Sequence, residues 1–148
     1  MKVRRATIQD LDSLVTFTAQ EAEQAEGSIR APETLRRGIK AALEDPDKGI
    51  YWVLVDASDS PVGSISAITE WSDWNAGYYW WIQSLFITPA CRGRGLINHL
   101  LDAVKQEMSR QGGLELRLYV HKDNHAAIRA YEKVQFELSN YLIMIDKS

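Results

Sequence analysis

Cysteine is almost absent from this chain of 148 residues: Cys91 stands alone, so no intrachain disulfide can form. A fold without that staple is held by its core, and a cytoplasmic setting is the expected one. Basic runs are missing too. The 17 lysines and arginines are outnumbered by 20 acids, giving a formal charge of -3. That sets aside a dedicated nucleic-acid binder, which carries a basic face. No stretch approaches the ~18 apolar residues needed to cross a bilayer, so no membrane span is expected. The charged start Met1-Lys2-Val3-Arg4-Arg5 leads into no apolar run, which argues against a cleaved leader. The chain shows no Pro/Gly/Ser linker, internal repeat or low-complexity tract, so residues 1–148 read as one domain. Its 45% hydrophobic and 25% charged content suits a globular protein able to bury a core.

Periodicity divides the chain into elements. Met1–Ile8 alternates as a strand. Gln9–Ala25 reads as a helix, capped by Thr7 or Asp10, with Leu11, Leu14, Val15 and Phe17 on its apolar side. Pro32–Glu44 is a second helix, opening on proline. Gly49–Val55 and Pro61–Glu70 form a hairpin around the turn Asp56–Ser60. Trp71–Gly77 reads as a loop, and Tyr78–Ile87 as the strongest strand. Arg92–Gln111 is a helix with Ile97, Leu100, Leu101, Val104 and Met108 on one face, ended by Gly112-Gly113. Leu114–Val120 is a strand, Asn124–Val134 a short helix capped by Asn124, and Phe136–Leu138 and Tyr141–Ile145 a closing pair of strands. The order predicts an α+β (mixed α/β) fold, a largely antiparallel sheet flanked by helices.

The chemistry concentrates in Leu85-Phe86-Ile87-Thr88-Pro89-Ala90-Cys91-Arg92-Gly93-Arg94-Gly95-Leu96. Here a strand gives way to a helix through glycines flanked by arginines. The first amides of a helix lack intrahelical partners and carry the positive end of its dipole. Gly93 and Gly95 permit close approach, Arg92 and Arg94 add cationic donors, and the combination suits a pyrophosphate. A dinucleotide fingerprint would need a third glycine, and a nucleotide P-loop a Gly-Lys-Ser/Thr; neither is present. A purely structural tight turn is the simpler alternative.

Residues Ile87 to Leu101 resemble motif A of the GNAT acyltransferases, Arg/Gln-x-x-Gly-x-Gly/Ala after an apolar strand. Arg92 and Gly95 match it, while Ile97 departs from the small final residue. Asn124-His-Ala-Ala127-Ile-Arg-Ala-Tyr131-Glu-Lys-Val-Gln-Phe136 is similar to the family's Asn-x-x-Ala-x-x-x-Tyr-Glu-Lys-x-Gly-Phe, with Gln135 in place of glycine. The two matches stand at the family's separation, and the resemblance runs over nearly the whole chain.

The resemblance implies an acetyl-CoA-dependent N-acetyltransferase acting on an amine of a small molecule or peptide. Leu85, Phe86 and Ile87 would bond the pantetheine arm through their backbone. The amides of Arg92, Gly93, Arg94, Gly95, Leu96 and Ile97 would hold the pyrophosphate. Asn124 would touch the pantetheine side, and Tyr131 would stand near the thioester sulfur as general acid. A thiolate leaving group resembles a free thiol of pKa about 8.5, so a nearby phenol can usefully protonate it.

The general base is open. The central strand Tyr78–Ile87 carries no acid; related small-amine enzymes have Glu-Asp where this chain has Gln83-Ser84. Glu70 or Asp73 could accept the proton, although both read more simply as solvated carboxylates, and Gln83 could hold a water. Trp71 and Trp81 could wall an amine site through cation–π attraction. Alternation puts Trp81, Gln83 and Leu85 on one face of the strand, and Trp80, Ile82 and Ser84 on the other. His121 and His125 lack a third ligand, so no metal is expected. Cys91 has no base beside it in sequence. Two alternatives remain: a CoA-binding module without catalysis, and an acyltransferase using another acyl-CoA. A homodimer and the identity of the acceptor stay open.

Overall fold

The computed structural model describes every residue, Met1–Ser148. Five strands form one sheet in sequence order: β1 (Lys2–Arg5), β2 (Ile50–Val55), β3 (Pro61–Ser72), β4 (Gly77–Ile87) and β5 (Leu116–Leu118). The first three junctions are antiparallel and the last, β4 with β5, is parallel. Four helices flank it: α1 (Leu11–Glu26), α2 (Pro32–Glu44), α3 (Leu96–Arg110) and α4 (His125–Lys133). The mixed α/β architecture expected from the sequence is therefore the one found. No helix is long and apolar enough to cross a membrane.

Alternation along β2 divides the core in two. Tyr51, Val53 and Val55 pack with Leu11, Leu14, Ile39 and Ala42 beneath α1 and α2. Ile50, Trp52 and Leu54 pack with Leu96, Leu100, Leu101 and Val104 of α3 on the opposite face. The entry to α1 is tied to the sheet. Thr7 and Asp10 form a capping box on the 3-10 turn Ile8–Asp10, not on α1 itself, whose N-cap Asp10 makes no side-chain cap bond; Arg4 on β1 holds the buried Asp10 carboxylate at 2.8 and 3.1 Å.

Pairing between β3 and β4 slips at one point. Ser66 faces Ser84, yet Ala67 faces Ile82, which leaves Gln83 as an extra residue on β4. Such a bulge reverses the alternation. Trp80 and Ile82 lie in the α3-side core, and so, past the bulge, do Leu85 and Ile87 at its margin. Phe86 stacks instead on Phe17 of α1, with ring centroids 5.4 Å apart. The expected grouping of Leu85 with Trp81, and of Ser84 with Trp80, is thus incorrect: strict alternation could not anticipate the inserted residue.

Three other expectations need correction. Trp71–Gly77 is no loop, since β3 runs to Ser72 and β4 starts at Gly77, leaving only a tight turn between them. The helix placed from Arg92 starts at Leu96, because a single 3-10 turn (Pro89–Cys91) and the left-handed Gly93 and Gly95 precede it. The closing strands Phe136–Leu138 and Tyr141–Ile145 do not form. Their sequence has strand character, but a strand needs an edge to bond to, and from Glu137 onward the backbone makes none of the chain's backbone hydrogen bonds.

Candidate active site

The bulge and the parting of two strands build the cleft. Parallel pairing of β4 with β5 covers only Trp80, Trp81 and Ile82. Beyond it β4 continues to Ile87 with no partner on that side. Backbone groups there have no strand partner and are met by side chains instead, the Leu85 amide by Glu21 and the Ile87 carbonyl by Arg92. The Leu85 amide shows the direction: it donates into the cleft, to the Glu21 carboxylate at 2.6 Å. Leu85, Phe86 and Ile87, to which the sequence reading assigns an extended chain, lie on this unpaired stretch of β4.

Directly after this edge comes the turn into α3. Gly93 has φ +78 and Gly95 φ +70, and a Cβ at either would meet nothing within 4 Å. Among the backbone hydrogen bonds of turns and caps, none begins at an amide from Gly93 to Ile97. These consecutive free N–H groups, at the positive end of a 15-residue helix, form a concave donor site of the kind that holds phosphates. The open glycines and free amides fit a pyrophosphate. The arginines are partly engaged elsewhere. Arg92 donates to the Ile87 carbonyl at 2.8 Å and to Gln24 at 3.0 Å, so it braces the turn against α1. Arg94 reaches only the Ala90 carbonyl, at 3.4 Å.

Glu21 is the residue that sequence reasoning missed. It lies on α1, on the apolar stripe of Leu14 and Phe17, three and four residues apart in turn. A carboxylate on that stripe was the available signal. Burial pushes its pKa up from the usual 4.5 to about 7, against the lowering pull of the Leu85 amide and the Ser84 hydroxyl. Tyr131 on α4 stands close enough to feel its charge. Burial first, and Glu21 second, push the phenol up to about 12. Burial and the same carboxylate raise Tyr51 as well. Glu21 and the Leu85 amide therefore meet where the strands part. The ring of Tyr131 is held by Phe136, edge to face at 5.6 Å.

Asn124 caps α4, its side chain accepting from the Ala127 amide at 3.2 Å. Its oxygen thus orients the helix that carries Tyr131. The other candidates have partners of their own or lie exposed. Glu70 accepts from the Trp81 indole at 3.3 Å. Trp81 stacks on Tyr119 at 4.5 Å. Arg117 lies 3.5 Å over Tyr79 and 5.7 Å from Trp81. The aromatic wall expected to attract an amine is thus already faced by the chain's own guanidinium. Trp71 is exposed, edge to face with Tyr78. Gln83, the bulged residue, is exposed. Cys91 is buried in the core, and no cluster of potential metal ligands exists.

Residues 11–136 match the acetyltransferase (GNAT) family. The chain belongs to that family. This GNAT chain is 34% identical over 120 residues to the mycothiol acetyltransferase of Corynebacterium aurimucosum, covering 72% of this chain but only 36% of that enzyme. Its structure resembles that of a possible acetyltransferase from Clostridium difficile 630, with TM-score 0.91 and 32% identity over 99% of this chain and 97% of the other. A predicted acetyltransferase from Clostridium acetobutylicum, solved with acetyl-CoA, shares the fold, at TM-score 0.80 and 18% identity over 98% and 95% of the two chains. GNAT enzymes are acyltransferases that take acetyl-CoA as cosubstrate, and the cleft described above supplies the backbone edge and free amides suited to one.

Proposed function

We propose that this chain is an acetyl-CoA-dependent N-acetyltransferase in which Glu21 is the general base and Tyr131 the general acid. The reading rests on the half-buried Glu21 carboxyl, which bonds the Leu85 amide at 2.6 Å and whose pKa burial raises to about 7, and on the Tyr131 phenol, which burial and then the Glu21 charge raise to about 12. Acetyl-CoA supplies an activated acyl group and a thiolate leaving group. The amides from Gly93 to Ile97 would hold its pyrophosphate, and the edge Leu85–Ile87 its extended arm. Glu21 receives the proton of an incoming ammonium, a role suited to a group titrating near neutrality. The Leu85 amide already donates to a carboxylate oxygen. It can stabilise negative charge developing on a carbonyl oxygen once Glu21 turns to the amine. Tyr131, protonated throughout the neutral range, donates its phenolic proton to the departing sulfur. The acceptor is an amine of a small molecule or peptide.

The absence of an acid on β4 favoured a binding module without catalysis, and Glu21 supplies that acid from α1. The test is thiol release from acetyl-CoA across a panel of primary amines. Amine-dependent release that falls sharply in Glu21→Gln supports the assignment. Amine-dependent release at the parent rate in that variant removes Glu21 from the mechanism, and tight acetyl-CoA binding with no turnover on any amine returns the module reading.

A further inference from the structure

Tyr51 is a buried phenol to which the proposed reaction gives no part. It stands opposite Ser66 of β3, and Ser66 stands opposite Ser84 of β4. The three hydroxyls thus form one row across the sheet, with the Cβ atoms of directly opposite residues about 5 Å apart. All three face α1. Tyr51 lies in the core beneath α1 and α2. Ile65 and Ala67, on either side of Ser66, lie in the α3-side core, which turns Ser66 the other way. The bulge at Gln83 brings Ser84 round, so that its hydroxyl meets Glu21. Ser66 has 0% exposure, and its Oγ has no hydrogen-bond partner. A buried hydroxyl left unpaired opposes folding. A carboxylate, meanwhile, offers about four acceptor positions on its two oxygens. Glu21 uses one on the Leu85 amide at 2.6 Å and another on Ser84. The Tyr51 phenol is close enough to feel both the Ser66 hydroxyl and the Glu21 charge.

We propose that Ser66 and Tyr51 are positioning residues for Glu21, whose carboxylate their hydroxyls receive when it leaves the Leu85 amide. The inference rests on the reading of Glu21 as general base and adds how that base is released. At rest the carboxylate occupies the amide assigned above to a carbonyl oxygen. Without a second donor, its departure would strand a charge in a half-buried site. Ser66, unpaired and next in the row after Ser84, is a donor with no other engagement, and Tyr51 completes the row. Glu21 meets only uncharged groups here: the Leu85 amide and Ser84 hydroxyl on β4, the Tyr51 phenol on β2 and the Tyr131 phenol on α4. Burial and these donors therefore set its protonation, and removing a donor favours the neutral form.

Ser66→Ala and Tyr51→Phe each remove one hydroxyl and keep the packing. Ser66→Ala is expected to unfold at the same or a higher urea concentration, since nothing pairs with the lost group. Each variant is expected to slow amine-dependent thiol release about fivefold at pH 7, by moving its pH limb up about one unit. Calorimetric titration with acetyl-CoA, in two buffers of different ionisation enthalpy, gives a reading without turnover. Near pH 7 each variant is expected to take up about 0.4 proton more than the parent on binding, for the same one-unit rise, and the excess to vanish when Glu21→Gln is added. Should Glu21→Gln alone release thiol at the parent rate, the base assignment fails and this inference with it. If Glu21→Gln is slow while both hydroxyl variants keep the parent's pH limb and proton uptake, the base stands and only this inference is overturned. A Ser66→Ala protein that slows only in step with lost stability also overturns it, because the hydroxyl then serves the fold.

Discussion

A carboxyl that titrates near neutrality has to be kept from water and also be needed there. Glu21 meets the first condition through the packing of α1 over β4, and the second through its position facing the cleft. Replacing it with glutamine keeps a partner for the Leu85 amide but removes the basic oxygen. We expect kcat/KM to rise with pH through about 7 in the parent protein, as the carboxyl ionises, and the variant to be about 100-fold slower or more. The decisive reading is the pH profile: a limb near 7 that persists in Glu21→Gln assigns it to another group. Tyr131 tests the opposite half of the reaction. With its pKa near 12 it holds a proton at neutral pH, so it can donate but cannot act as a base. Tyr131→Phe should lower kcat about 100-fold while leaving acetyl-CoA affinity, by calorimetric titration, within a factor of two or so. An unchanged kcat would leave the phenol as a packing group only.

The elements hold these groups through their ends. α3 begins on Gly95 at φ +70, and the free amides around it depend on that turn. Gly95→Glu brings a side chain into an unfavourable backbone region and a negative charge to the donor site. Calorimetry should show acetyl-CoA affinity reduced at least about tenfold, or about 1.4 kcal/mol, in a protein that still unfolds cooperatively. Undiminished affinity would mean that the amides serve the turn alone. At the far end of α4 the opposite case occurs. Gln135 adopts φ +78, a conformation costing an L-residue about 1–2 kcal/mol, at the position where the motif it resembles has glycine. Gln135→Gly is expected to raise unfolding free energy by about 1 kcal/mol, measured in urea, and a loss of stability would show that the glutamine side chain contributes more than its backbone costs. The elements were largely legible because their signals are local: the stripe of α3, the Asn124 cap, the glycine turn. What was not legible was relational. The bulge at Gln83 arises from pairing between β3 and β4 and leaves no mark in the alternation of β4 itself. Glu21 became a site residue only through strands 60 residues away in the chain, although its place on an apolar stripe hinted at burial.

At the scale of the whole molecule, the cleft and the stability of the fold are in opposition. The unfolded chain carries Glu21 at its ordinary value of 4.5, whereas the folded chain holds the proton up to about 7. The native state therefore binds more protons, and its stability falls as pH rises. The Glu21 contribution is fully present below 4.5, declines across the interval, and is lost above about 7. Raising the pKa over that interval corresponds to roughly 3 kcal/mol at about 1.4 kcal/mol per pH unit. Glu21→Gln removes this dependence and should be more stable than the parent above pH 7, with the advantage shrinking toward pH 4.5. Urea unfolding of both proteins across that range checks the sign. A difference independent of pH would show that the carboxyl is not desolvated by the fold. A difference that opens toward alkaline pH would mean that the packing which raises this carboxyl into the working range of a base also lowers the stability of the protein at the pH where it works.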